Sequence, residues 1–153
     1  MMPSLILVVE DEYPLQGIVE ETLIERGFAA DILSSGEEAL TLFRGGTKEY
    51  KALVIDVSLK GRLNGWDVAR QIREKDPAFP IVYMTAATAN EWASQGVPSS
   101  LLLQKPFAPA ELVAALSNLL HLVAAPSPRA ALAEDKAGLD RAKPASGWLR
   151  KSE

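Results

Sequence analysis

Apolar and polar positions follow one another along this chain in two rhythms. Four short runs are apolar throughout: Leu5–Val9, Ala52–Ile55, Ile81–Met84 and Leu101–Leu103. Uninterrupted runs of that length predict strands buried on both faces. A further short strand is predicted at about Ala29–Leu33, and the last at about Ser100–Leu103. Between the strands the spacing becomes helical. Leu15, Ile18, Val19 and Leu23 mark one face of a helix from residue 13 to about 26, stopped by Gly27. Ser34 or Ser35 can cap a second helix, with Glu37 and Glu38 in its first turn and Gly45-Gly46 after about Arg44. A third runs from about Trp66 to Lys75 and ends at Asp76-Pro77. A short fourth covers Asn90–Gln95, and a fifth covers about Pro109 to Val123. Five strands alternating with five helices predict a βα-repeating α/β fold, a parallel sheet covered on both faces.

The pattern changes after Val123. Ala124-Ala125-Pro126-Ser127-Pro128 reads as a linker. Residues 129–143 are rich in Ala and charge and suit a helix, weakened by Gly138; Pro144 to Gly147 breaks it, and Trp148-Leu149 follows. The chain divides into a body, 1–123, and a Pro/Ala-rich C-terminal extension, 124–153, helical in part. Thirty residues are too few for a usual DNA-binding output domain, and there are no internal repeats.

Composition narrows the chemistry. With 153 residues, 48% of them hydrophobic, the chain can bury one sizeable core. The absence of cysteine excludes disulfides, thiol catalysis and cysteine-bound zinc. A single histidine, His121, argues against a histidine metal site or a Ser-His triad. No apolar run approaches the ~20 residues of a membrane span, and the first residues enter a strand pattern without a signal peptide. A cytoplasmic protein is expected. Residues 1–123 hold 10 Lys and Arg against 16 Asp and Glu, while the extension holds 6 against 4. An acidic body argues against broad nucleic-acid binding.

The polar residues that end the strand runs carry the chemistry. Glu10-Asp11 follows the first run, Asp56 the third, Thr85 the fourth and Lys105 the fifth. In a parallel sheet the carboxyl ends of the strands share one edge, where ligands bind. Each residue alone has an ordinary explanation, such as helix N-terminal charge for Glu10, Asp11 and Glu12. Together they form a cluster of three acids that needs cations to offset its repulsion. Lys105 and a divalent ion are the natural compensators, and magnesium takes oxygen ligands. An Asp56 nucleophile, a Thr85 hydroxyl and the Lys105 ammonium suit phosphoryl transfer, in which positioning and charge neutralisation dominate.

At these residues the chain resembles the receiver domain of bacterial two-component response regulators. The resemblance rests on Leu7-Val8-Val9-Glu10-Asp11-Glu12, Val54-Ile55-Asp56, Met84-Thr85-Ala86 and Lys105-Pro106-Phe107, and it spans residues 5 to about 123. It implies a (βα)5 flavodoxin-like three-layer sandwich with sheet order 2-1-3-4-5. It implies phosphorylation of Asp56 by a sensor histidine kinase and magnesium at Glu10, Asp11, Asp56 and the Ser58 carbonyl. Thr85, Ala86 and Lys105 would meet the phosphoryl group and carry the switch, and the Lys105-Pro106 peptide would be cis. Without a further domain, it resembles a single-domain regulator acting through protein contacts.

The chain departs from that pattern in three places. The family usually has a Met-Pro-type turn after the acceptor and a glycine eight positions on; here Gly65 stands nine positions on, without the proline, so the loop carries one extra residue. The switch aromatic, three positions before the lysine, is replaced by Leu102. Positions that tune dephosphorylation hold Ser58 and Ala87.

Trp66 is expected to be half-buried, and Trp92 either packs inside or meets a partner. The last helix carries Leu112, Leu116, Leu119 and Val123 on its core stripe, with Val113, Leu120 and Leu122 outside it. An apolar surface of that width predicts a homodimer through the fourth helix, fifth strand and fifth helix. Trp92, Leu102, Val113 and Leu120 would lie at that interface. Trp148 and Leu149 would anchor the tail on its own body or on the partner.

Two other functions compete. One is an adaptor or phosphate sink that does not depend on phosphorylation for output. The other is an aspartate-nucleophile phosphatase, disfavoured because such enzymes carry a second acid where this chain has Ser58; no enzymatic activity is expected.

Overall fold

The computed structural model describes residues 3–87, 89–123 and 148–150. The strands are β1 (Leu5–Val9), β2 (Ala29–Leu33), β3 (Tyr50–Asp56), β4 (Ile81–Thr85), β5 (Leu101–Gln104) and β6 (Trp148–Arg150). The helices are α1 (Tyr13–Glu25), α2 (Gly36–Gly45), α3 (Gly65–Lys75), α4 (Trp92–Gln95) and α5 (Pro109–Val123), with a 3₁₀ turn at Ala89–Glu91 before α4.

β1 to β5 form the expected parallel sheet in the order 2-1-3-4-5. Side chains alternate across it, so each strand feeds two cores. Leu7, Val9, Leu53, Ile55, Tyr83 and Leu102 pack with residues of α2, α3 and α4, including Leu40, Trp66, Ile72 and Trp92. Ile6, Val8, Val54, Met84 and Leu103 pack with α1 and α5 through Val19, Leu23, Leu112 and Leu116. This gives the (βα)5 flavodoxin-like three-layer sandwich and explains the unbroken apolar runs.

Several boundaries and faces differ from expectation. β3 starts two residues earlier than Ala52 and includes Asp56. α3 starts at Gly65, because Asn64 and Asp67 form a capping box: each side chain accepts the other residue's backbone N–H. Ser35 is the α2 cap, its hydroxyl oxygen accepting from Glu38 N. In α1, Ile18 is exposed, contrary to the core face its spacing predicts; the buried positions are Val19, Thr22 and Leu23. Ile18 lies one residue, about 100° of helical turn, off that stripe.

β6 adds a sixth strand, antiparallel to β5, with Leu102 opposite Leu149. The end of the extension therefore pairs with its own body. The expected linker, 124–128, and helix, 129–143, lie outside the described residues.

Candidate functional site

Two strand ends bring the three acids together. Glu10 follows β1 and its backbone N–H donates to Leu33 O at 2.9 Å, which seats it between β1 and β2. Asp11 is the next residue, and Asp56 ends β3. Carboxylate oxygens of Glu10, Asp11 and Asp56 all lie within 4.8 Å of one another. Glu10 and Asp56 are buried, while Asp11 is half-buried.

Lys105 enters from the end of β5. Its Nζ donates to Glu10 Oε1 at 2.9 Å and to Asp56 Oδ2 at 3.2 Å, and lies 3.6 Å from Glu12 Oε1. Its backbone N–H donates to Thr85 O at 2.8 Å, tying the ends of β4 and β5 together. The Lys105-Pro106 peptide is cis. Thr85 is fully buried, whereas Ala86, Ala87 and Ser58 are exposed.

The carboxylates are held by backbone amides. Ser58 N donates to Asp56 Oδ1 at 3.0 Å, and Glu12 N donates to Glu10 Oε2 at 2.9 Å. Lys60 N donates to Asp11 Oδ2 at 3.1 Å. Gln16 Nε2 donates to Glu10 O at 2.6 Å and to Ser34 Oγ at 3.1 Å. Sequence reasoning missed Lys60 and Gln16, because their partners are distant in the chain or are main-chain atoms.

Burial pushes the Glu10 carboxyl above its ordinary range, against the hydrogen bond from Lys105. Burial alone would lower the Lys105 ammonium; the Glu10 hydrogen bond and the charges of Asp56 and Glu10 reverse this and hold it above its usual value. Three acids against one lysine leave a site short of positive charge. Clustered carboxylate oxygens suit a hard divalent cation such as magnesium.

Gly65 completes the floor. A Cβ there would fall 2.5 Å from Asp56 O and 2.8 Å from Val57 Cα, so only glycine lets α3 start against the acceptor strand. This is why a glycine stands here despite the extra loop residue.

The expected interface splits. Leu102 is 1% exposed and Trp92 is 7% exposed, both inside the chain's own core. The Trp92 indole N–H donates to Ser100 Oγ at 3.0 Å. For Trp92 the packing alternative holds, because the short α4 turns its indole inward; Leu102, expected at the interface, is instead buried in β5, which lies between β4 and β6. Val113 and Leu120 are half-buried, and Leu120 packs against the α1/α5 core. Trp66 is more buried than expected, at 3% exposure, with its ring 4.6 Å from that of Tyr83.

Nothing in the sequence pattern marks Tyr83, one apolar position within the β4 run. It stands directly opposite Leu102 in the β4–β5 register. Its hydroxyl oxygen accepts the Val97 N–H at 3.1 Å. The large aromatic next to the site thus lies on β4, two residues before Thr85.

A profile of the response regulator receiver domain matches residues 6–117. The chain belongs to the response regulator receiver domain family. It is 34% identical over 122 residues to the transcriptional regulatory protein CusR of Escherichia coli, covering 78% of this chain and 52% of CusR. It is 33% identical over 122 residues to the response regulator MprA of Mycolicibacterium vanbaalenii, again covering 52% of that protein. The chain thus spans about half the length of the curated relatives it matches. A response regulator receiver protein from Sinorhizobium medicae superposes with a TM-score of 0.75 at 41% identity, over 78% of this chain and 95% of that one. The HemR receiver domain of Leptospira biflexa gives 0.64 at 25%, over 76% and 94%. Among the described residues no helix is long and apolar enough to cross a membrane.

Proposed function

We propose that this chain is a phospho-accepting response regulator. The observation that carries this reading is Lys105 Nζ bridging Glu10 and Asp56, beside a third carboxylate, at the carboxyl edge of the sheet. Asp56 is the acceptor. Its carboxylate oxygen forms the bond to phosphorus, and the bond from phosphorus to the donor imidazole nitrogen breaks, leaving its electron pair on nitrogen. Lys105 and the Thr85 hydroxyl receive two of the phosphoryl oxygens, with Ala86 at the mouth of the site. Glu10, Asp11, Asp56 and the Ser58 carbonyl would hold magnesium, which supplies charge neutralisation at the acceptor and the incoming phosphoryl oxygens.

The donor is a sensor histidine kinase, and the protein acts in the cytoplasm through contacts of residues 1–123 with another protein. A homodimer would rest on Val113 and Leu120, and sedimentation of the full chain tests it. Several relatives are named as transcriptional regulators, so the output of this chain is to be measured and not carried over from them.

A second reading, a phosphorylation-independent adaptor or a phosphate sink, is favoured by one observation: the switch position holds the buried Leu102, and the neighbouring Tyr83 is fixed to Val97. Incubation with acetyl phosphate and magnesium separates the phospho-acceptor from the adaptor. The acceptor gains one phosphoryl group, and Asp56→Asn gains none. Wild type that stays unlabelled with both acetyl phosphate and a panel of histidine kinases refutes the leading reading.

A further inference from the structure

The loop between β3 and α3 gives alternate backbone amides to carboxylates. Ser58 N donates to Asp56 Oδ1 at 3.0 Å, Lys60 N to Asp11 Oδ2 at 3.1 Å, and Arg62 N to Glu37 Oε2 at 3.0 Å. The first two acceptors belong to the candidate site. The third comes from the first turn of α2, outside it.

The Glu37 contact is built, not incidental. Gly61 adopts φ +104°, a conformation that favours glycine. A Cβ at Gly61 would lie 3.3 and 3.4 Å from the two Glu37 carboxylate oxygens, so the glycine also opens room for them. Glu37's own backbone amide, then those of Arg62 and Leu63, hold its carboxyl below the usual range. Ser35 caps the same helix turn and holds Glu38, not the loop. The loop is thus tied at one end to Asp56 and at the other to α2, with Asp11 between.

We propose that Glu37 is a positioning residue for the metal-phosphoryl site. By holding Arg62, it fixes the path of the loop and keeps the Lys60 amide on Asp11. One Asp11 oxygen is then occupied and the carboxylate is oriented before a cation arrives. Carboxylates that ligate metals are commonly oriented by such hydrogen bonds, and losing one typically weakens binding about 10–100-fold. Glu37 acts one step further out, so about a 3- to 10-fold loss is expected. This inference rests on the metal-site reading given above.

Calorimetric titration of magnesium chloride into the full chain tests it. Glu37→Ala should weaken magnesium binding about 3- to 10-fold. Glu37→Gln retains an acceptor oxygen for the Arg62 amide and should stay within about 2-fold of wild type. Ser35→Ala loses the helix cap without touching the loop; it should lower the melting temperature and leave magnesium affinity unchanged. In parallel, the Lys60 and Arg62 amides should exchange faster with deuterium in Glu37→Ala than in wild type. Glu37→Ala that binds magnesium like wild type overturns the proposal, as does Ser35→Ala that weakens binding equally. Wild type with no magnesium binding removes the metal-site reading and this inference with it.

Discussion

Lys105 Nζ lies 2.9 Å from Glu10 Oε1, closer than to Asp56 Oδ2 at 3.2 Å. The Lys105 side chain is 13% exposed and that of Glu10 is 0% exposed. The pair therefore neutralises a buried carboxyl that has no other cation in direct contact among the ion pairs of the described residues. Removing the lysine leaves that charge beside Asp56. Breaking a buried pair from one side typically costs about 3–5 kcal/mol. Lys105→Met should lose roughly that much in urea unfolding without magnesium, and Glu10→Gln in the same chain should restore most of it. The Glu10 carboxyl is already raised, so it binds its proton more tightly folded than unfolded. The Lys105→Met chain should then regain stability as pH falls through the folded Glu10 range. A single substitution with no effect on the urea midpoint contradicts the role of the pair.

Magnesium should raise the melting temperature, since a ligand that binds only the folded state adds about 2.7 kcal/mol at 100 times its Kd. Asp11→Asn should remove most of that response, because Asp11 is the one acid of the cluster that is only half-buried. Differential scanning fluorimetry across a magnesium series measures this; equal shifts in wild type and Asp11→Asn would exclude Asp11 as a ligand.

Asp56→Asn should abolish labelling by acetyl phosphate while keeping the fold, as the amide retains an oxygen for the Ser58 N–H. Mass spectrometry of the intact chain reads the result. One phosphoryl group on Asp56→Asn would place the acceptor elsewhere.

Burial pushes the Tyr83 hydroxyl from 10.0 up to about 12. Folded chains thus keep a proton that unfolded chains release. The contribution is complete below pH 10 and is lost as pH rises towards 12, up to about 3 kcal/mol. Tyr83→Phe should abolish this part of the alkaline loss. Near neutral pH it should cost about 1–3 kcal/mol, because the buried Val97 N–H loses its acceptor. Guanidinium unfolding of both proteins near neutral pH and at about pH 11 gives the comparison. An alkaline loss of the same size in both would assign the titration to other groups.

Ser100→Ala should destabilise by about 1–3 kcal/mol, since the Ser100 hydroxyl accepts from the Trp92 indole at 3.0 Å and donates to Val97 O at 2.6 Å. The same substitution should change Trp92 fluorescence. An unchanged melting curve would mean that water replaces both bonds.

Much of this molecule is legible from local chemistry. Uninterrupted apolar runs such as Leu5–Val9 require burial on both faces, and helices between them supply the cover. Parallel strands then place Glu10, Asp56, Thr85 and Lys105 on one edge, because every strand ends there. The sequence by itself therefore determined the alternating strands and helices and the site residues that share one edge, while the sheet order followed from its resemblance. Tertiary structure alone decided how they meet. The preference of Lys105 for Glu10 depends on side-chain reach across the gap between β1 and β5. The exposure of Ile18 depends on the phase of α1 over the sheet, which a one-residue rotation changes without altering the pattern. Tyr83 sits opposite Leu102 because inter-strand register, not chain spacing, pairs them. The ties from Lys60 to Asp11 and from Arg62 to Glu37 use main-chain amides, which every residue but proline carries and no sequence pattern marks.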